Sequence, residues 1–139
     1  MFWRIIKSIK NEKGQAVIEL AITLPLLIMI IGGIVDFSWI YSNQNIISHC
    51  SREGARYAIV HATDLNATTK ITNYTKSLAS SNLADSITVN IKFSNTYSPR
   101  LGDVTITVSG DVNILTPIVG IFTKDQKMNL SSSCTMKVE

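Results

Sequence analysis

The chain has 139 residues, room for one domain, with a formal net charge of +3 and a mean hydropathy of +0.20. The charge is unevenly placed. Residues 1–14 hold Arg4, Lys7, Lys10 and Lys13 against Glu12, and the remaining nine basic residues are balanced by nine acidic ones. No basic patch lies beyond that leader, so the high pI does not indicate a nucleic-acid partner. The apolar residues gathered before residue 41 exclude an ordinary soluble domain over that stretch.

From Leu20 to Val35 the sequence LAITLPLLIMIIGGIV carries no charge. Extended back to Ala16 and forward to Tyr41, the run reaches about 25 residues, enough to cross a ~30 Å hydrocarbon layer. Trp39 and Tyr41 suit the far interface, where amphipathic rings collect. The four cations ahead of the run hold the N-terminus in the cytoplasm by the positive-inside rule, so the rest of the chain is exported. A cleaved secretory signal would share the basic start and apolar middle. Here the run is long, lacks a clean small-x-small site and continues as helix-compatible sequence.

Two residues in the run are unusual. Glu19 places a carboxylate at the edge of an apolar helix, which costs several kcal/mol unless it is paired or neutralised. Pro25 removes one backbone hydrogen bond, which predicts a kink or loosening near Ala21. Asp36 lies near the far end of the run. Beyond it the helix is expected to continue to about His61. Ser51, Ala55, Ala58 and Ala62 form a narrow stripe of small residues suited to close packing. Arg52 and Arg56 lie one turn apart on another face, which is either simply solvated or paired with Glu53, with Asp36 of a neighbour or with lipid phosphate.

The segment TDLNATT reads as a break, with Asn66 or Thr68 capping a second helix over about 68–82 that carries Ile71, Tyr74, Leu78 and Leu83 on one side. Period-two alternation then marks strands: Ile87, Val89, Ile91 and Phe93 in one, Val104, Ile106 and Val108 in the next. SNTYSPRLGD forms the connection, and Gly110-Asp111 predicts a kink or bulge in the second strand. Ile118–Phe122 is an apolar turn, and a last strand covers about Met128–Val138. The order predicts an α+β fold with three or four antiparallel strands packed on the exported half of the long helix.

Cys50 on that helix and Cys134 in the last strand face an exported, oxidising compartment, and a disulfide between them and a pair of separate buried thiols are both open. His49, Cys50, His61 and Cys134 lack the spacing of a zinc site, so no metal is assigned. No phosphate loop, nucleophile elbow or acid pair stands out. The sequence therefore assigns no catalytic residue, no cofactor and no small-molecule substrate.

The run GQAVIELAITLPLLIMIIGGIVDFSWIY, followed by SREGARYA, resembles the TadE-like family, pilin-like components of tight-adherence (Flp-type) pilus systems. Glu19, five positions after Gly14, resembles the glutamate that follows a type IV prepilin cleavage site. The ending LSSSCTMKVE is similar to that family's last strand. The resemblance implies a pilin-like fold and cleavage by a prepilin peptidase between Gly14 and Gln15. It also implies that Glu19 acts as the assembly carboxylate, partnered by the new amino group of a neighbouring subunit. Residues 1–14 would be a basic cytoplasmic leader, 15–41 a transmembrane helix and 42–139 an exported ectodomain. The partners implied are the membrane, the peptidase, other pilin-like subunits and the pilus assembly platform, with no nucleic acid. The competing expectation is an uncleaved anchor carrying an accessory or ligand-binding ectodomain.

Overall fold

The computed structural model describes residues 12–80, 83, 85–95, 102–116 and 126–138. The basic leader up to residue 11 and the apolar turn 118–122 lie outside the described residues, as does most of the 94–103 connection. Helix α1 spans Glu12–His61 without a break, and α2 spans Ala67–Ser77. Three strands follow: β1 Thr88–Phe93, β2 Asp103–Asn113 and β3 Lys127–Lys137. They form an antiparallel meander in the order β1-β2-β3. The α+β expectation holds, with three strands.

Helix α1 has two halves. From Gln15 to Val35 its side chains stand exposed on every face, apart from the half-buried Gly32 and Gly33. From Asp36 onward one face is covered by the sheet and α2. Ile47, Cys50, Ala55 and Ala58 are fully buried on that face, with Ser51 and Ala62 nearly so. The small-residue stripe read from the sequence is therefore the seam of the domain. Small side chains there bring the helix axis close to its neighbours and leave room for the larger residues of the strands.

Strand β2 is the centre of the sheet. Val104, Ile106 and Val108 are completely buried, and each contributes roughly 1.5–3 kcal/mol by leaving water. Ile71 of α2, Leu83, Ile87, Leu130 and Val138 complete the core. The opposite face of the sheet is polar. Thr105 and Thr135 share a hydroxyl bond of 2.8 Å there, and Asn129 donates to Asp111 at 2.7 Å.

Three local expectations change. Gly110-Asp111 makes no bulge: β2 pairs with β3 in constant register from Asp103↔Lys137 to Asn113↔Lys127. Gly110 is there for space, since a Cβ at that position would meet Ile87 Cγ1 at 3.3 Å and Leu83 Cδ2 at 3.4 Å. Helix α2 stops short of residue 82, at Ser77, whose hydroxyl donates to the Tyr74 carbonyl at 2.7 Å. Asn66 does precede α2, but through its backbone. It turns the chain at φ 61, a conformation asparagine tolerates, and makes no side-chain cap bond.

Helices α1 and α2 meet at Gly54. A Cβ there would lie 2.6 Å from Thr75 Oγ1, which is buried and donates to the Ile71 carbonyl at 2.7 Å. Above this contact Tyr57 stacks between His61 at 3.9 Å and Tyr74 at 4.2 Å. Gly54→Ala is expected to lower the unfolding free energy by up to about 2 kcal/mol, the difference between an overpacking cost of ~1–3 kcal/mol and a helix-propensity gain of ~1 kcal/mol. In a Thr75→Ala background the same change becomes neutral or stabilising. Thermal unfolding of the four-member cycle in detergent measures the coupling, and equal effects in both backgrounds would show that the close approach is not what requires glycine.

Candidate functional site

The bare half of α1 is one candidate site. Its 18-residue window of highest hydropathy averages 2.4 and has no part buried in the protein. Ala16 to Val35 is about 20 residues, and at ~1.5 Å per residue this spans about 30 Å, the thickness of a hydrocarbon core. Ile22 is 69% exposed and Leu26 59%, so this is not the core helix of a soluble domain. The helix is a candidate membrane anchor.

Gly14 and Gln15 lie in the first turns of α1, and Gln15 is exposed. Glu19 follows one turn later, also exposed. It forms no ion pair among the described residues, where the ion pairs are Arg56–Glu53 and Lys70–Asp64. Thr23 donates to the Glu19 carbonyl at 2.9 Å and also reaches the Leu20 carbonyl at 3.3 Å, which satisfies the threonine but leaves the carboxylate unanswered. The helix runs unbroken through Pro25. The loss of its N–H is absorbed without ending the helix.

The second candidate site is the point where the bare half meets the head. Asp36 is 1% exposed. Its Oδ1 accepts from Leu115 N at 3.1 Å and Thr116 N at 2.9 Å, and its Oδ2 accepts from the Thr116 hydroxyl. One carboxylate thus fastens the end of β2 to the helix one residue above the bare segment. Trp39 Nε1 adds a bond to the Asn113 carbonyl at 3.2 Å. Asn43, almost fully buried, donates to the Trp39 carbonyl at 2.8 Å. Higher up, Gln44 Nε2 reaches the Ser131 carbonyl at 3.1 Å and the Ser51 and Ser132 hydroxyls meet at 3.2 Å.

Asp36 is therefore not available to an arginine of a neighbour, which removes one of the partners the sequence left open for Arg52 and Arg56. Its partners are backbone N–H groups of its own chain. Arg52 and Arg56 are exposed. Arg56 pairs with Glu53 at 3.4 Å, with side chains 70% and 31% exposed, an arrangement that adds little stability. The role of Asp36 left a trace in the sequence: a lone carboxylate closing an apolar run, followed by Trp39 and Asn43 on the same side. The sequence could not supply the partner, which lies 80 positions away.

Cys50 and Cys134 come to the same helix–sheet interface. Both are free thiols, Cys50 buried and Cys134 half-buried opposite Ile106. Burial pushes the Cys50 thiol above its ordinary value, so it stays protonated at neutral pH. Among the described residues no group of three or more His, Cys, Asp or Glu side chains is placed to hold a metal ion.

A single bare apolar helix carrying a small α+β head defines a candidate membrane-anchored protein. The family model for TadE-like protein matches residues 14–56, from the glycine before the bare helix to Arg56. That segment is similar to TadE-like proteins, in line with the sequence resemblance, while α2 and the sheet lie outside it. No curated protein and no solved structure matches the chain.

Two measurements follow from this geometry. Asp36→Ala leaves two backbone donors and a hydroxyl without their acceptor and is expected to lower stability by about 3 kcal/mol, with Asp36→Asn losing less because one acceptor oxygen remains. Thermal unfolding ranks the variants, and an unchanged melting point for Asp36→Ala would refute the fastening role. In the folded protein iodoacetamide should modify Cys134 well before Cys50, as peptide mapping over a time course would show.

Proposed function

We propose that the chain is a minor pilin or pseudopilin of a tight-adherence pilus or related secretion machine. In this reading a prepilin peptidase cuts between Gly14 and Gln15, and the protein assembles with other pilin-like subunits on the assembly platform through its N-terminal helix. The supporting observation is Glu19, an exposed carboxylate without an ion-pair partner among the described residues, on a helix that is bare over its spanning length. Such a charge in a bilayer calls for a partner from outside the chain. The amino group created at Gln15 of an adjacent subunit is cationic and sits near the level of Glu19. Pairing neutralises both groups and fixes the relative height of two helices.

The match of residues 14–56 to TadE-like proteins supports the same reading, since it starts at the proposed cleavage site and contains Glu19. The cytoplasmic placement of the leader and the exported placement of the head follow from the four leader cations. The head has no part in the charge pairing and serves as the body carried outside the membrane.

Intact mass and N-terminal peptide mapping of the protein from its native host test the processing step. A mature chain beginning at Gln15 is expected. A chain retaining Met1 would favour an uncleaved membrane-anchored accessory or ligand-binding protein. Glu19→Ala and Glu19→Gln are expected to leave the membrane-bound amount unchanged while abolishing recovery in sheared pilus fractions. Wild-type recovery of both variants would remove the proposed role of the carboxylate.

A further inference from the structure

The fastening of β2 to Asp36 has a geometric result. Leu115 N is 3.1 Å from the Asp36 carboxylate, so Leu115 is held at the level of α1 where the bare segment ends. Its side chain is nonetheless 56% exposed. Beside it runs an open groove of about 450 Å³ lined by Ile34, Val35, Ser38, Trp39, Ser42 and Leu115. The groove is graded. Ile34 and Val35 are the last apolar residues of the span, 63% and 46% exposed. Ser38 and Ser42 lie one and two turns above, exposed, and among the described residues their side-chain hydroxyls have no hydrogen-bond partner. The Trp39 ring forms one wall, fixed by its bond to Asn113.

We propose that this groove seats a phospholipid of the leaflet on the head's side, with its acyl chain against Ile34, Val35 and Leu115 and its glycerol ester region at Ser38 and Ser42. Two observations select a lipid as the occupant: the groove is continuous with the bare span, and its lining passes from apolar Ile34 and Val35 to the hydroxyls of Ser38 and Ser42. With the bare segment across a ~30 Å hydrocarbon layer, that order matches the passage from acyl chain to ester carbonyl. The head then has two points in the bilayer, the helix and the Leu115 corner, and rests on the membrane surface instead of swinging above it. The inference depends on α1 spanning a membrane.

The test uses the full chain in vesicles of phosphatidylethanolamine and phosphatidylglycerol. Leu115, Ile28 and Thr107 are replaced one at a time by the photocrosslinking residue p-benzoylphenylalanine, and intact mass is read after illumination. Position 28 reports the span, 115 the groove and 107 the polar outer face of the sheet. Addition of one lipid mass at 28 and 115 but not at 107 is expected, with melting points close to the parent. Lipid at 28 with no adduct at 115, or with a bond from 115 to a second chain or to another part of its own chain, would overturn the groove proposal and leave the span intact. No lipid at 28 would overturn the span and the groove together. Lipid at 107 as well would overturn the proposed specificity of the corner.

Discussion

The head is placed by one carboxylate. Asp36 lies where a helix with no covering meets a domain with a complete core, and it joins them with three hydrogen bonds to a two-residue corner. A buried charge is destabilising unless its oxygens are answered, and here backbone donors answer it. The direction of the bonds matters. The strand end donates to the helix, so β2 can approach α1 at that height and in that rotation. Trp39 and Asn43 extend the same contact upward, and the small-residue seam continues it to His61.

Much of this was legible in the sequence. Alternating Val104, Ile106 and Val108 could only be a strand with one buried face, and the spacing of Ser51, Ala55, Ala58 and Ala62 could only be a close-packed helix face. Both are local patterns, repeated often enough to be unambiguous. Gly110 was misread because a glycine in a strand has two explanations, bending and close approach, and sequence alone cannot say which neighbour stands above it. The end of α2 was misplaced for a similar reason: Ile71, Tyr74 and Leu78 keep a helical spacing and apolar Leu83 follows, although the helix ends at Ser77 and Leu83 reaches the core from beyond it.

The sites divide along the same line. Glu19 stands out in the sequence because its surroundings are set by its immediate neighbours, an apolar run, and the structure leaves it exposed on the bare helix. Asp36 looked like a second case of the same kind and is the opposite, a charge fully committed within the chain. The difference is the position of the head, a long-range fact. The TadE-like match covers residues 14–56 and thus both carboxylates, although their surroundings differ: one faces outward from a bare helix and the other is shut into a corner.

The coverage of the sheet has a gradient across its width. Strand β2 has neighbours on both sides and buries alternate residues completely. Both edge strands leave core-face residues half-buried, Val89, Ile91 and Phe93 in β1 and Cys134 and Met136 in β3, but α1 lies over β2 and β3, and the short α2 packs mainly on α1 and little on β1. Local opening free energies follow such gradients. Strand β1, with little cover from α1, is the edge expected to open first, with β2 and β3 held against the helix. The domain thus has a durable half, two strands fixed to the long helix, and a yielding half. Sequence drift and insertions would be absorbed in the yielding half, with the geometry at the membrane unchanged.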